Sequence, residues 1–368
     1  MSEDTSLFIG FIYSATTWED ALRYRVLSPA RALAGLSGIY TVVCREDAIA
    51  APHLAASADL LVLYMTPGGE HESWLEMRRA DGCPTILEIA ADITSPSGHP
   101  ELDDYLADLR LPLLRAAVRV DALQFPCPGL QERFAVPGVP SVVFPSQMDD
   151  LPPLKTLRKH KPVVVGWGGP LTDLAEMARL APLLEGWARA RGDVLLAILG
   201  DEPVQGLFQS SPPLIRRHES GSLEDYYQFL AGLDIGIAPL ADTPHNRSRS
   251  DVMFLEYAAF GAAAVVQDAP AYRGTVEHDV TGRFFRSGAE MIQMLDGLVM
   301  DPQLRFRICH TAYDYVESRR RTAPQVPIRW DFYRRLVKAP RPNAEDRFIT
   351  FCVPEGANPG PTFHVVQY

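Results

Sequence analysis

The sequence holds only five cysteines, at positions 44, 83, 127, 309 and 352, an odd and scattered set in 368 residues. That excludes a disulfide framework, and none of the spacings brings cysteines together as a zinc site requires. The simplest expectation is reduced thiols in a cytoplasmic protein. There is no excess of basic charge either: Lys and Arg total 35 against 46 Asp and Glu, a net charge of −11. A broad nucleic-acid interface and non-specific attraction to anionic lipid both need a basic surface, so neither is expected. No apolar run is as long as a membrane span. Ahead of the short run at 7–13 stand Glu3 and Asp4 and no basic segment, so no signal peptide is read there. These absences predict a protein with at most peripheral membrane contact, no nucleic-acid partner and no structural metal.

What is present is enough apolar residue, 47% of the chain, to build more than one core. Single cores seldom grow past roughly 250–300 residues, so two domains are expected. Residues 7–13, 40–44, 60–65, 85–89 and 142–144 read as buried strands, with helical spacing over 19–34 and 102–120 between them. Pro29 and Pro112 are expected to bend or break those helices. This alternation predicts a parallel sheet covered by helices over residues 1–150. Its first strand runs into Ser14-Ala15-Thr16-Thr17-Trp18 and not a glycine-rich turn, so the dinucleotide fingerprint is missing and no redox cofactor is expected.

Residues 149–153, polar and proline-bearing, with the basic run 155–161 behind them, read as a linker whose lysines and arginines are solvated surface. The second domain is expected over 162–321, with helices at 174–191 and 223–233. Beyond it come an amphipathic helix at 330–336 and two strand-like runs, 347–353 and 362–368, flanking a Gly-Ala-Asn-Pro-Gly-Pro loop. Two strands alone are marginal. They either join a sheet edge, form a homo-oligomer contact or open a further module.

The richest stretch is Asp234-Ile235-Gly236-Ile237-Ala238-Pro239-Leu240, followed by Asn246-Arg247-Ser248-Arg249-Ser250 and by Phe254-Leu255-Glu256-Tyr257-Ala258-Ala259-Phe260-Gly261. It reads as a buried strand, an arginine-bearing loop, and a helix that Ser250 can cap and Gly261 can end. A helix start offers N–H groups and a positive dipole end, and Arg247 and Arg249 add charge suited to a diphosphate. Glu256 stands in an apolar run, where burial without a partner is costly, so it calls for a hydroxyl, an amide or a cation; an ion pair with Arg247 or Arg249 is the structural alternative. Gly168 and Gly169 end another strand-like run, and Asp201 follows a third as a cap, a turn former or a site-lining residue. In the first half, His99 and Asp92 follow a strand at its carboxyl end, where ligands bind in doubly wound folds.

This pattern resembles the donor-binding half of GT-B glycosyltransferases, in particular family 4 (glycosyl transferases group 1). Residues 163–169, 195–201, 246–261 and 268–282 carry the resemblance, which covers roughly residues 160–320. It implies an α/β fold of two Rossmann-like domains facing across a cleft, a nucleotide-sugar donor as substrate with no cofactor, retention of configuration, and no obligatory metal. It assigns Asn246, Arg247, Arg249, Ser250, Glu256, Gly168, Gly169 and Asp201 to the donor, Glu256 to its ribose, and His99 and Asp92 to the reacting side, with the acceptor open. The chain departs from the family in three places. Met253 stands where a diphosphate-neutralising lysine is common, Ser248 where another group carries a glutamate, and Pro170 where a small polar residue is common. A nucleotide-sugar epimerase and a non-catalytic nucleotide-sugar or partner-protein binder are the rival readings.

Overall fold

The computed structural model describes residues 6–16, 19–66, 72–156, 162–169, 173–211, 213–338, 340–347 and 363–366. Thirteen strands run through them: β1 (Leu7–Tyr13), β2 (Ile39–Arg45), β3 (Leu60–Tyr64), β4 (Thr85–Glu88), β5 (Ala122–Phe125), β6 (Ser141–Val143), β7 (Val163–Trp167), β8 (Val194–Leu199), β9 (Ile215–His218), β10 (Ile235–Ala238), β11 (Ala263–Gln267), β12 (Arg283–Phe285) and β13 (Phe363–Val366). They form two parallel sheets in two compact units.

The first unit comprises residues 1–95, 104–149 and 322–368, with sheet order β13-β2-β1-β3-β4-β5-β6. All seven residues of β1 are buried, as expected for a strand covered on both faces. Gly10 is part of that close cover, since a Cβ there would come within 3.0 Å of the Leu54 side chain on the helix Ala51–Ser57. The order reverses between β1 and β3, the doubly wound pattern. The expected 1–150 domain thus lacks 96–103, which group with the second unit, and includes 322–368.

The helix expected over 19–34 is three consecutive pieces, Glu19–Leu22, a π-turn at Arg23–Leu27 and Ser28–Ala34, with Pro29 in the first turn of the last piece. Proline is tolerated there because its missing N–H has no helical partner anyway. The second helix, Pro100–Ala117, runs through Pro112 without a break. β5 escaped the sequence reading because Gln124 interrupts its apolar run. That side chain is fully buried among polar partners: Gln124 Nε2 donates to Glu88, and Tyr333 Oη donates to Gln124 Oε1 at 2.8 Å.

Tyr333 belongs to the helix Thr322–Leu336, which takes in the amphipathic segment expected at 330–336. Its start is fixed by Thr322, whose N–H donates to the Met148 carbonyl at 2.8 Å and whose hydroxyl donates to Asp149 at 2.9 Å. The tail beyond follows the chain's own sheet edge. Arg347 reaches both Asp59 oxygens at 3.0 and 2.8 Å, and β13 pairs in parallel with β2. Of the strand expected at 347–353 only Arg347 is described, as the last residue of a helical turn at 344–347, and 348–362 lie outside the described residues. The remaining strand joins its own chain's β2, which accounts for 363–366 without a second copy.

The second unit comprises 96–103 and 150–321, with sheet order β12-β11-β10-β7-β8-β9, the same winding. The helices Leu174–Arg191 and Leu223–Gly232 fall where the spacing predicts them. Glycines set how closely helices lie on this sheet. A Cβ on Gly166 would sit 2.2 Å from Leu233, and one on Gly236 would sit 2.4 Å from the Tyr257 ring. In the expected linker, Lys155 is not simply solvated: Nζ donates to the Leu233 carbonyl at 2.7 Å, while 157–161 lie outside the described residues.

Candidate functional site

The carboxyl ends of β7 and β10 lead to the loops that the sequence singles out. Tyr257 ties them together: its hydroxyl donates to the Ile237 carbonyl of β10 at 2.9 Å, and the Gly168 backbone after β7 is a hydrogen-bonding neighbour of the same oxygen. Gly168 has no room for a side chain, as a Cβ would stand 2.8 Å from Phe229. At Gly169 a Cβ would meet the Trp167 indole nitrogen at 2.4 Å. That indole N–H is buried and has no hydrogen-bond partner among the described residues. Pro170 lies outside them.

The helix Val252–Ala259 follows the loop and ends as expected, with Gly261 at φ +64° just past its last turn. Its start differs from the sequence expectation. Asp251, not Ser250, occupies the N-cap position, and its side chain makes no cap hydrogen bond. Both Asp251 oxygens accept from Arg320 instead, at 2.6 and 2.9 Å. Ser250, half-buried, precedes it. The first turn of the helix therefore has no side-chain cap from its N-cap residue.

Glu256 is 6% exposed and accepts a hydrogen bond from Tyr226 Oη at 2.7 Å. The arginines anticipated as its ion-pair partners make other pairs. Arg247 is exposed and holds Asp242 at 2.6 and 3.2 Å. Arg249, 23% exposed in its side chain, contacts the buried carboxylate of Asp173. Burial, the largest single influence, works against its charge, but Asp173, Tyr272 and Glu176 together outweigh it and leave the pKa raised. Asn246 is buried and donates to Glu176 at 3.2 Å and to the Ala241 carbonyl at 3.0 Å.

Tyr272 lies in the 268–282 segment that carries the family resemblance, and charged groups of the site converge on it electrostatically. Its phenol is buried and pushed up, first by burial and then by the charge of Asp173, with Asp251 and Glu256 adding to the effect and Arg249 opposing it. Arg249, Asp173, Asp251 and Glu256 thus all lie within electrostatic reach of one hydroxyl. Asp173, Tyr226, Asp251 and Arg320 were not anticipated. The available signal for Asp173 was an acid opening a helix just after a glycine loop. For Tyr226 and Arg320 there was none, since each reaches the site from a helix distant in sequence.

The sequence places three further residues at the site. Asp201 is exposed at the N-cap of the short helix Glu202–Gln205 and makes no cap hydrogen bond. Asp92 is buried, accepts from the Thr94 N–H and hydroxyl at 2.9 and 2.8 Å, and lies 3.3 Å from Arg133; these are the contacts of a loop anchor. His99 groups with the second unit, and its Nδ1 is buried without a hydrogen-bond partner among the described residues. Met253, in the common lysine position, is 6% exposed on the donor-candidate helix.

Among curated proteins none matches the sequence. Residues 179–325 match the family described as glycosyl transferase-like. Three solved structures are similar over nearly the whole chain. HepE from Anabaena in complex with UDP-glucose has a TM-score of 0.62 at 14% identity, covering 89% of this chain and 100% of that one. A glycosyltransferase from Rickettsia africae has 0.61 at 10%, covering 91% and 100%. Sucrose-phosphate synthase from Thermosynechococcus elongatus has 0.60 at 11%, covering 90% and 99%. The chain has the GT-B fold, with a glycosyl transferase-like region in its second half.

Proposed function

We propose that the second unit binds a nucleoside diphosphate sugar and that the protein transfers the sugar to an acceptor, with retention of configuration and without a bound metal ion. The observation that carries this reading is the start of the helix Val252–Ala259. Asp251 turns to Arg320 and gives the first turn no side-chain cap, while Arg249 precedes that turn and the buried Glu256 lies one turn in. A helix end of this kind suits the diphosphate, and Arg249 supplies the full positive charge that favours it as leaving group. Glu256 lies about 6 Å along the helix from Val252, at 1.5 Å per residue, and suits the ribose hydroxyls. Gly168 and Gly169 suit a close backbone approach, and Ser250, Asn246, Arg247 and Asp201 complete the proposed donor side with decreasing involvement. His99 is the proposed polar group on the reacting side. Because HepE was solved with UDP-glucose, uridine donors are the first to try.

One observation favours the rival, non-catalytic reading: Asp173 already offsets the charge of Arg249, and Met253 supplies none. The test is thermal unfolding with a panel of nucleoside diphosphates and their sugars, on the wild type and on Glu256→Ala. A ligand at a hundred times its Kd adds about 2.7 kcal/mol. Stabilisation by one base, weakened in the variant, with sugar released or transferred on incubation, is the expected result. Stabilisation without turnover would favour the binding-module reading, product from the donor alone would favour epimerisation, and no stabilisation would overturn the donor site.

A further inference from the structure

The helix Pro100–Ala117 turns an unusual face to solvent. Its buried side is regular, with Leu106, Leu109, Leu113, Ala116 and Ala117 against the core of the first unit. From residue 101 on, the exposed positions along and just beyond it are Glu101, Asp104, Ala107, Asp108, Arg110, Leu111, Leu114, Arg115, Val118 and Arg119. Leu111 is 64% exposed, Val118 61% and Leu114 38%. Three large apolar side chains at i, i+3 and i+7 form one stripe, and a stripe of this kind calls for a partner more than singly scattered apolar residues do. The exposed charges along it are acidic toward the start of the helix, at Glu101, Asp104 and Asp108, and basic from its middle onward, at Arg110, Arg115 and Arg119.

Part of that face is placed symmetrically about Leu111. The exposed positions 104, 107 and 108 lie as far before residue 111 as 118, 115 and 114 lie after it. A two-fold interface requires this self-complementarity, because each patch must contact its own copy in reverse. With two such helices antiparallel, Leu111 meets Leu111 at the axis, Asp108 of each copy approaches Leu114 and Arg115 of the other, and Asp104 approaches Val118 and Arg119. Opposite charges then face each other at both ends of an apolar centre. Asp104, Asp108 and Arg115 make no ion pair within the chain among the described residues, so these charges are available for such pairing. An anionic lipid surface fits less well, since Asp104 and Asp108 would meet like charge on the same face.

We propose that this face is the contact of a two-fold homodimer, with the helices antiparallel and Leu111 at the axis. Stable interfaces bury about 1,200–2,000 Å² in total, more than one helix face alone supplies, so the dimer is weak and concentration-dependent. The test is sedimentation velocity of the full chain over a concentration series from low to high micromolar. The wild type should shift from monomer toward dimer. Leu111→Glu places two carboxylates at the axis and should weaken association at least about tenfold. Arg115→Asp sets acid against Asp108 and should weaken it as well, whereas the exchange Asp108→Arg with Arg115→Asp should restore it. All substituted positions are exposed, and circular dichroism confirms folding. A wild type that stays monomeric throughout overturns the proposal. So does a dimer indifferent to Leu111→Glu, or a charge exchange that fails to rescue. Vesicles with anionic lipid that sediment the wild type and not Leu111→Glu would instead assign the face to a membrane surface.

Discussion

Arg320 holds both carboxylate oxygens of Asp251, at 2.6 and 2.9 Å, and the two side chains are 7% and 9% exposed. One pair thereby fastens the end of the helix Pro302–Arg319 to the start of the helix Val252–Ala259. Removing one partner of a buried pair strands the other charge, which costs about 3–5 kcal/mol. Arg320→Met is therefore expected to lower stability by that order in urea unfolding. The paired change Arg320→Met with Asp251→Leu should recover much of the loss. If the single substitution leaves the unfolding midpoint where it was, the pair is not the fastening described.

Tyr226 and Glu256 form a narrower test of the proposed donor site. Tyr226→Phe removes the 2.7 Å hydrogen bond to the Glu256 carboxylate while keeping the ring. A hydrogen bond to a charged group contributes about 1.5–3 kcal/mol. Loss of stability at the lower end of that range is expected, together with weaker binding of ribonucleotide donors as Glu256 loses its orientation. Binding measured by calorimetry at equal strength in both proteins would separate Tyr226 from donor recognition.

Gly236 and Tyr257 predict a steric effect. A Cβ at 2.4 Å from the Tyr257 ring forces the helix off the sheet, so Gly236→Ala should destabilise by about 1–3 kcal/mol or more. The same substitution combined with Tyr257→Leu should cost less than the sum of the two. Additivity in thermal melts of the four proteins would show that the two sites do not share a contact.

The thiols predict a reactivity order. Burial pushes the Cys44 thiol up to about 11, with Asp47 adding to it, and pushes Cys309 up to about 12. The thiolate is the reacting species, so both should resist iodoacetamide at pH 8 in the native protein and react on unfolding. Cys127, only half-buried, should label first among these three. Peptide mapping after brief labelling decides it, and fast modification of Cys309 would contradict the packing.

Acid sensitivity follows from Asp92. Burial alone would raise its carboxyl, but hydrogen bonds from Thr94 and Ser95 and the charge of Arg133 outweigh this and leave it lowered. A lowered folded value means the contribution is complete above the ordinary aspartate range near about 3.9 and disappears as pH falls through the folded value. Asp92→Asn keeps the turn-forming oxygen and removes the charge. The wild type should exceed it in stability at pH 5 and 7 and lose that margin toward pH 3; a margin constant with pH would refute the assignment.

Local and periodic features carried much of this molecule in the sequence alone. Continuous apolar runs of four to seven residues marked most strands, because a strand buried on both faces cannot alternate. The glycine after Phe260 marked a helix end through its backbone freedom, and the acid inside an apolar helix marked Glu256 through the cost of burying it alone. The tertiary structure decided the partners. Whether Glu256 would face Arg247, Arg249 or a hydroxyl depended on Tyr226, thirty residues earlier on another helix. Whether the helix start would be capped depended on Arg320, sixty-nine residues on. Gln124 hid a strand because its polar partners Glu88 and Tyr333 meet it only when β4, β5 and the helix Thr322–Leu336 assemble. Propensity and burial act over a few residues and so can be read in order along the chain. Charge pairing and buried hydrogen bonding act between atoms that only folding brings within reach.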